Sequence, residues 1–329
     1  MKALVITRSG GPEVLEVREM PAPQPEKGQE LVRVHAGGIN FADVMTMQGG
    51  YAGAPDPPLV AGREFAGIRE HDGAQVMGYT QWGAFAGMVA AQADLLWPVP
   101  AGWSMEEAAA FPVNYFTALL GYWRAGLVDL EDGRSSGTLK HTQQPRVLIQ
   151  AVAGGVGTAA VQIGKLLGVE MWGTSSSGEK LARVQELGLQ HGINYRESDY
   201  ENVVREQTGG EGVDAVFEML GGEHVAKGVR CLRQFGSVVV YGSTGGEKPV
   251  LDTRLLYAKA TSVKGLWLTY LSRNRALMDL AWKRLRTWMD EGQLHPVVGS
   301  VVPLEDAADA YRSMMNRGNF GKTVLQIAK

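Results

Sequence analysis

Two rhythms of apolar and polar positions divide the chain. Strand-like apolar runs at residues 147–151, 169–174, 191–195, 213–218, 236–241 and 261–267 alternate with segments of helical spacing at 159–167, 179–187, 200–208 and 224–232. A glycine that can stop a helix follows each helical segment closely. Six strands with helices between most of them predict an α/β fold, a Rossmann-type doubly wound parallel sheet. Residues 1–100 read differently. They are dense in Gly and Pro and carry short runs such as Leu31-Val32-Arg33-Val34-His35 and Gln75-Val76-Met77-Gly78-Tyr79, which predict short antiparallel strands in a compact β-barrel-like domain. After the sixth strand the βα rhythm stops. A helix at 274–291, a strand-like run at 297–302, a helix at 304–316 and a strand at 322–327 are expected to return to the first domain. The expected division is therefore 1–121 with 268–329, and 122–267. The apolar stretch 108–123 is too short to span a bilayer, is interrupted by Pro112 and Asn114, and reads as a buried helix.

The junction of the first strand and helix of the second region carries the chemistry. Val147-Leu148-Ile149-Gln150-Ala151-Val152-Ala153-Gly154-Gly155-Val156-Gly157 is an apolar run that breaks into glycines and continues with helical spacing. Glycines let a backbone approach a pyrophosphate, and the helix that follows directs its first amides and partial positive charge at it. Val152 stands where G-x-G-x-x-G has its first glycine. On this turn alone, dinucleotide binding and an ordinary strand-to-helix turn are both open. The end of the second strand adds information. An acidic side chain there would bond ribose hydroxyls and repel a phosphate, whereas this chain has Gly173-Thr174-Ser175-Ser176-Ser177, with Lys180 one turn on. That tip favours NADPH over NADH. Helix capping by the serines is compatible with it, because caps and anion sites use the same amides.

Composition narrows the partners. Among 329 residues, 32 Lys plus Arg stand against 35 Asp plus Glu, which leaves no basic footprint for nucleic acid or an anionic membrane. The one cysteine, Cys231, excludes an intrachain disulfide and a Cys-based zinc knuckle. With no signal-peptide pattern at the N-terminus, the cytoplasm is the expected location. The polar segment 129–145 is longer than most connections and reads as a surface loop, a lid or a partner-binding loop.

The Ala-rich glycine turn, Ile193-Asn194-Tyr195, and Gly37-Gly38-Ile39-Asn40-Phe41-Ala42-Asp43 together resemble the medium-chain dehydrogenase/reductase superfamily. Within it the chain is similar to the zinc-free, ζ-crystallin-like quinone oxidoreductases. Pro112-Val113-Asn114-Tyr115-Phe116-Thr117-Ala118 and Gly318-Asn319-Phe320-Gly321-Lys322 resemble its vesicle amine transport protein-like branch. The resemblance implies a GroES-like β-barrel catalytic domain beside the Rossmann domain, NADPH as cofactor, and a homodimer formed through edge strands around residues 250–264. It implies that Gly154, Gly155, Val156 and Gly157 lie against the pyrophosphate and that Ser175, Ser176, Lys180 and Tyr195 surround the 2′-phosphate. Asn40, Asp43 and Thr117 would border the nicotinamide. Gly242, Ser243 and Thr244, followed by Leu266 and Trp267, would lie by its ribose, and Arg317 would be a basic contact. Met45 departs from the tyrosine that bacterial relatives often place against the cofactor.

The zinc ligands of the superfamily would match Asn40, Arg63-Glu64 and Val113, of which only the glutamate is a ligand type, so no metal is expected. Arg63 and Glu64 would then be free to pair with each other. Without a Lewis acid, reduction of conjugated acceptors is favoured, because hydride addition to a quinone or an α,β-unsaturated carbonyl leaves a delocalised enolate. Tyr51, in Gly49-Gly50-Tyr51-Ala52-Gly53, is a candidate proton donor or substrate-orienting hydroxyl, or else a loop aromatic covering the cleft. Asn40 and Asp43 are further catalytic candidates, or else turn residues. An interaction protein with little turnover and an enoyl-thioester reductase are the alternative functions.

Overall fold

The computed structural model describes residues 1–131 and 144–328. Residues 132–143, most of the polar segment noted above, lie outside them. The chain forms two compact units, Met1–Asn114 with His295–Lys329, and Tyr115–Leu294. Helix Arg275–Asp290 thus belongs to the second unit rather than returning to the first. Its side chains Leu277, Met278, Ala281, Leu285, Trp288 and Met289 recur at helical spacing as one buried face.

The second unit holds a six-stranded sheet, every pair parallel, in the order His191–Asn194, Glu170–Ser175, Arg146–Ile149, Val213–Glu218, Leu232–Val240, Ser262–Gly265. The order reverses between the first and fourth of these strands in sequence, the crossover point at which such sheets open a ligand crevice beyond their carboxyl ends. Leu148, Trp172, Ile193, Val216, Val229 and Val238 form its core. Three helices stop where glycine takes the left-handed conformation, at Gly168, Gly188 and Gly209. The fourth, His224–Cys231, does not: Leu232 is already extended and buried, and the chain runs straight into the fifth strand. A register shift against Val213–Glu218, with Phe235 at φ 65°, absorbs the early start.

The first unit has a seven-stranded, mostly antiparallel sheet built around Gln29–Gly38 and a three-stranded sheet around Lys2–Ile6. Leu4, Ile6, Val34, Phe65, Phe85, Tyr311 and Leu325 pack in its core. The last strand, Lys322–Gln326, pairs with Gln29–Gly38, so the end of the chain closes the domain begun at its start. The apolar stretch 108–123 is two helices, Met105–Ala109 and Pro112–Ala125, because proline has no N–H to continue the first but fits the first turn of the second. Among the described residues no helix is long and apolar enough to cross a membrane.

Candidate active site

In the second unit the glycine turn is fastened to the neighbouring strand. Ala151 N–H donates to Thr174 Oγ1 (3.2 Å), and Val152 N–H donates to the Thr174 carbonyl (3.0 Å). Ala151 itself sits at φ 49°, a left-handed conformation that a β-carbon disfavours. Gly154 precedes helix Gly155–Leu166 in an extended conformation with no side-chain cap, so the first-turn amides of a twelve-residue helix are left to other acceptors. Gly157 is required by contact: a β-carbon there would lie 2.4 Å from the Val152 carbonyl oxygen.

Beside the turn, Tyr195 N–H donates to the Ser175 carbonyl (3.1 Å), which brings the ends of the second and third strands together. Ser177 caps helix Gly178–Leu187 by accepting from Lys180 N–H (3.4 Å). Partial burial lowers the Lys180 ammonium below its ordinary range, against the pull of Tyr195 and with the help of Arg183. Arg183 is a second cation at this corner that the sequence pattern did not single out. The loops after the fourth and fifth strands are also joined. Thr244 N–H donates to the Met219 carbonyl (2.9 Å) and Gly245 N–H to that of Leu220 (2.8 Å). Glu218, fully buried, accepts from Leu220 N–H (2.6 Å) and Gly221 N–H (2.9 Å); burial raises its carboxyl and these two bonds oppose the shift. Leu266 is buried and Trp267 half-exposed after the sixth strand, and Thr117 is buried on helix Pro112–Ala125. The expected cofactor residues are therefore divided: Asn40, Asp43 and Arg317 lie in the first unit, the others in the second.

In the first unit two buried ion pairs stand side by side. Arg63 and Glu64 do not pair with each other, contrary to the sequence expectation. Glu64 receives Lys322 Nζ, Asn40 Nδ2 (2.8 Å) and the backbone N–H of Val113 (2.7 Å). Lys322 also donates to Asn40 Oδ1 (2.6 Å) and Asn114 Oδ1 (3.4 Å). Asn40 Nδ2 donates besides to the Gly38 carbonyl (3.1 Å), so both of its amide hydrogens are engaged. Arg63 turns the other way. Its Nη2 donates to Thr46 Oγ1 (2.7 Å), and its Nε stands 3.5 Å from Asp43 Oδ1. Asp43 in turn accepts from Asn40 N–H (2.8 Å), and burial pushes its carboxyl up to about 6 despite Arg63. The guanidinium lies 3.9 Å from the ring centroid of Tyr51 and 4.4 Å from that of Trp82, a cation–π contact with each of two rings set at right angles to one another. Tyr51, Asn40 and Asp43 are thus brought into one cluster. Lys322, Trp82 and Tyr311 belong to it too and were not named as site residues from sequence. The four positions that would match zinc ligands do not fit the ion: Asn40, Arg63 and Val113 are poor or impossible ligands, and both oxygens of Glu64 are engaged by N–H donors.

This fold and turn define a class, and comparison with known proteins names it. Residues 155–283 match the family described as zinc-binding dehydrogenase, and residues 26–76 the alcohol dehydrogenase GroES-like domain. The chain belongs to the medium-chain dehydrogenase/reductase superfamily. Within it, the chain belongs with the quinone oxidoreductases and the VAT-1 homologues. It is 31% identical to the quinone oxidoreductase of Sus scrofa over 99% of this chain and 97% of that one. It is 32% identical to the synaptic vesicle membrane protein VAT-1 homolog of Homo sapiens, covering 99% of this chain and 86% of the relative. Among solved structures, the quinone oxidoreductase of Thermus thermophilus, determined also in complex with NADPH, is 35% identical with a TM-score of 0.83, covering 99% of this chain and 100% of that one. The Escherichia coli quinone oxidoreductase complexed with NADPH is 27% identical with a TM-score of 0.86, again over 99% and 100%.

Proposed function

We propose that this chain is an NADPH-dependent oxidoreductase that reduces quinones or the activated C=C bonds of α,β-unsaturated carbonyls. The observation that carries the reading is the carboxyl end of the second-unit sheet. There an uncapped helix N-terminus follows the strand beside the crossover point, and a serine-lined tip without a carboxylate, with Lys180 one turn on, ends the strand next to it. The relatives supply the rest, two of them solved with NADPH.

Gly154, Gly155, Val156 and Gly157 hold the pyrophosphate in this reading, and Ser175, Ser176, Lys180 and Tyr195 hold the 2′-phosphate. Gly242, Ser243, Thr244, Leu266 and Trp267 flank the nicotinamide ribose, Thr117 and Asn40 border the nicotinamide, and Arg317 adds a basic contact. The bound cofactor supplies a hydride. In this reading the unit Met1–Asn114 with His295–Lys329 is the catalytic domain and Tyr115–Leu294 the cofactor domain, in place of the boundaries 1–121 with 268–329 and 122–267 expected from sequence. The chain's own contribution is orientation in a dry site, because its buried cations and carboxylates are fixed before substrate arrives. Asn40, with both amide hydrogens committed to Glu64 and Gly38, serves as a rigid wall rather than as a proton source. Assembly as a homodimer through residues 250–264 belongs to the same reading.

The test is NADPH oxidation against a panel of quinones and a panel of enones. Turnover with either is expected; NADPH binding without turnover on both panels rejects the function.

A further inference from the structure

A buried guanidinium ordinarily commits its five N–H groups to acceptors. Arg63, 2% exposed, does not. Its Nη2 bonds Thr46, its Nε stands 3.5 Å from Asp43, beyond a sound hydrogen bond, and Nε and Nη1 have no hydrogen-bond acceptor among the described residues. What surrounds the cation instead is aromatic surface: Tyr51 and Trp82 flank it on adjacent sides, their rings 6.1 Å apart and near perpendicular. Ring faces attract the charge without using the N–H groups. Both rings are half-buried, and Tyr51 lies in a loop bounded by left-handed glycines at Gly49 and Gly53. The cation is therefore held, charged and dry, with an uncommitted donor beside the two rings.

Resting on the oxidoreductase reading, we propose that Arg63 is a catalytic residue whose Nη1–H donates to the carbonyl oxygen of a conjugated acceptor and holds the oxyanion formed there. When hydride from a reduced nicotinamide adds to the conjugated carbon, a C–H bond forms and the π pair moves onto oxygen, giving an enolate; in a quinone this becomes the hydroquinone anion when the new sp3 carbon loses a proton and the other carbonyl oxygen gains one. A proton from solvent completes the reduction. A guanidinium suits this role because it keeps its own proton beside a phenolate and because its charge acts undiluted in a dry site. Asp43, at the opposite edge of the guanidinium, keeps the group aligned. The acceptor class is a planar carbonyl compound whose reduced form is an oxygen anion, and movement of the Tyr51 ring uncovers the donor.

The probe is 4-nitrophenol, an absorbing mimic of the hydroquinone anion, titrated from pH 5 to 9 against the NADP+-saturated protein. In the wild type its apparent pKa is expected to fall by about one unit, a tenfold preference for the anion. Arg63→Met abolishes the shift and lowers kcat for quinone by roughly 100-fold, the size of a lost oxyanion donor, with KM for NADPH within about twofold. Arg63→Lys restores part of both. Tyr51→Ala uncovers the guanidinium and tightens nitrophenolate binding, which keeps the test open if Arg63→Met does not fold. No shift in the wild type, or the same shift in Arg63→Met, or unchanged binding in Tyr51→Ala, overturns the assignment. A shift that depends on Arg63 without quinone turnover keeps the assignment and rejects the oxidoreductase reading; turnover without the shift does the reverse.

Discussion

The ammonium of Lys322 and the carboxylate of Glu64 meet in the interior of the first unit, with Asn40 bridging both. Each partner desolvates the other, and each is costly alone. Lys322→Met is expected to destabilise the protein by about 3–5 kcal/mol, because it strands a buried carboxylate. The double variant Lys322→Met/Glu64→Gln should recover much of that loss. Denaturant unfolding of the three proteins checks both statements; a single variant as stable as wild type would rule them out.

Asp43 makes the stability pH-dependent. Its carboxyl is raised from 3.8 to about 6, chiefly by burial, with Arg63, the Asn40 amide and Lys322 opposing. The folded state thus binds this proton more tightly than the unfolded state. The contribution is fully present below about pH 4 and is lost as pH rises through 6. The stability of wild type relative to Asp43→Asn should fall across pH 4 to 6, by up to about 3 kcal/mol, and then level off. Paired urea titrations at several pH values measure it; a difference that grows with pH would contradict the assignment.

Lys180→Ala is expected to weaken NADPH at least tenfold, the value of about one charge-assisted hydrogen bond, while changing NADH little. Fluorescence titration with both cofactors gives the ratio. An unchanged ratio removes Lys180 from the phosphate corner.

The glycine turn can be probed from both sides. Gly157→Ala drives a β-carbon to 2.4 Å from the Val152 carbonyl oxygen, and is expected to cost about 2 kcal/mol or more and to weaken cofactor binding. Ala151→Gly instead relieves a left-handed alanine. Against the entropy of a freer unfolded chain, a net gain of about 0.5 kcal/mol is expected. Thermal unfolding of the pair should move in opposite directions.

Ser262–Gly265 is the outer strand of the six-stranded sheet, with Val263, Tyr257 and Val250 exposed nearby. If two copies pair there, Val263→Lys should shift the mass seen by light scattering from dimer to monomer at micromolar concentration. A monomeric wild type would reject this interface.

The parallel sheet was legible because its information is local: each apolar run, each glycine stop and the turn at 154–157 can be seen within a dozen residues. Where the local signal was ambiguous the reading slipped, as at Leu232, which the glycine rule left outside the fifth strand. The first-unit cluster was only partly legible. Asn40, Asp43 and Tyr51 stood in recognisable loops, but nothing near Glu64 announces that its partner is Lys322 rather than its neighbour Arg63. That choice is made by the pairing of the last strand with Gln29–Gly38, a contact 282 residues long between Lys322 and Asn40. Trp82 and Tyr311 were missed for the same reason, since an aromatic residue carries no mark of which cation or carboxylate it will face.

Glu218 closes the loop after its strand by accepting from Leu220 and Gly221. In that sense the segment is already liganded by its own chain: the carboxylate occupies amides that a visiting anion would otherwise seek. The entropy of ordering these residues is then spent during folding, and a small molecule settling against them meets a surface that does not have to freeze on arrival.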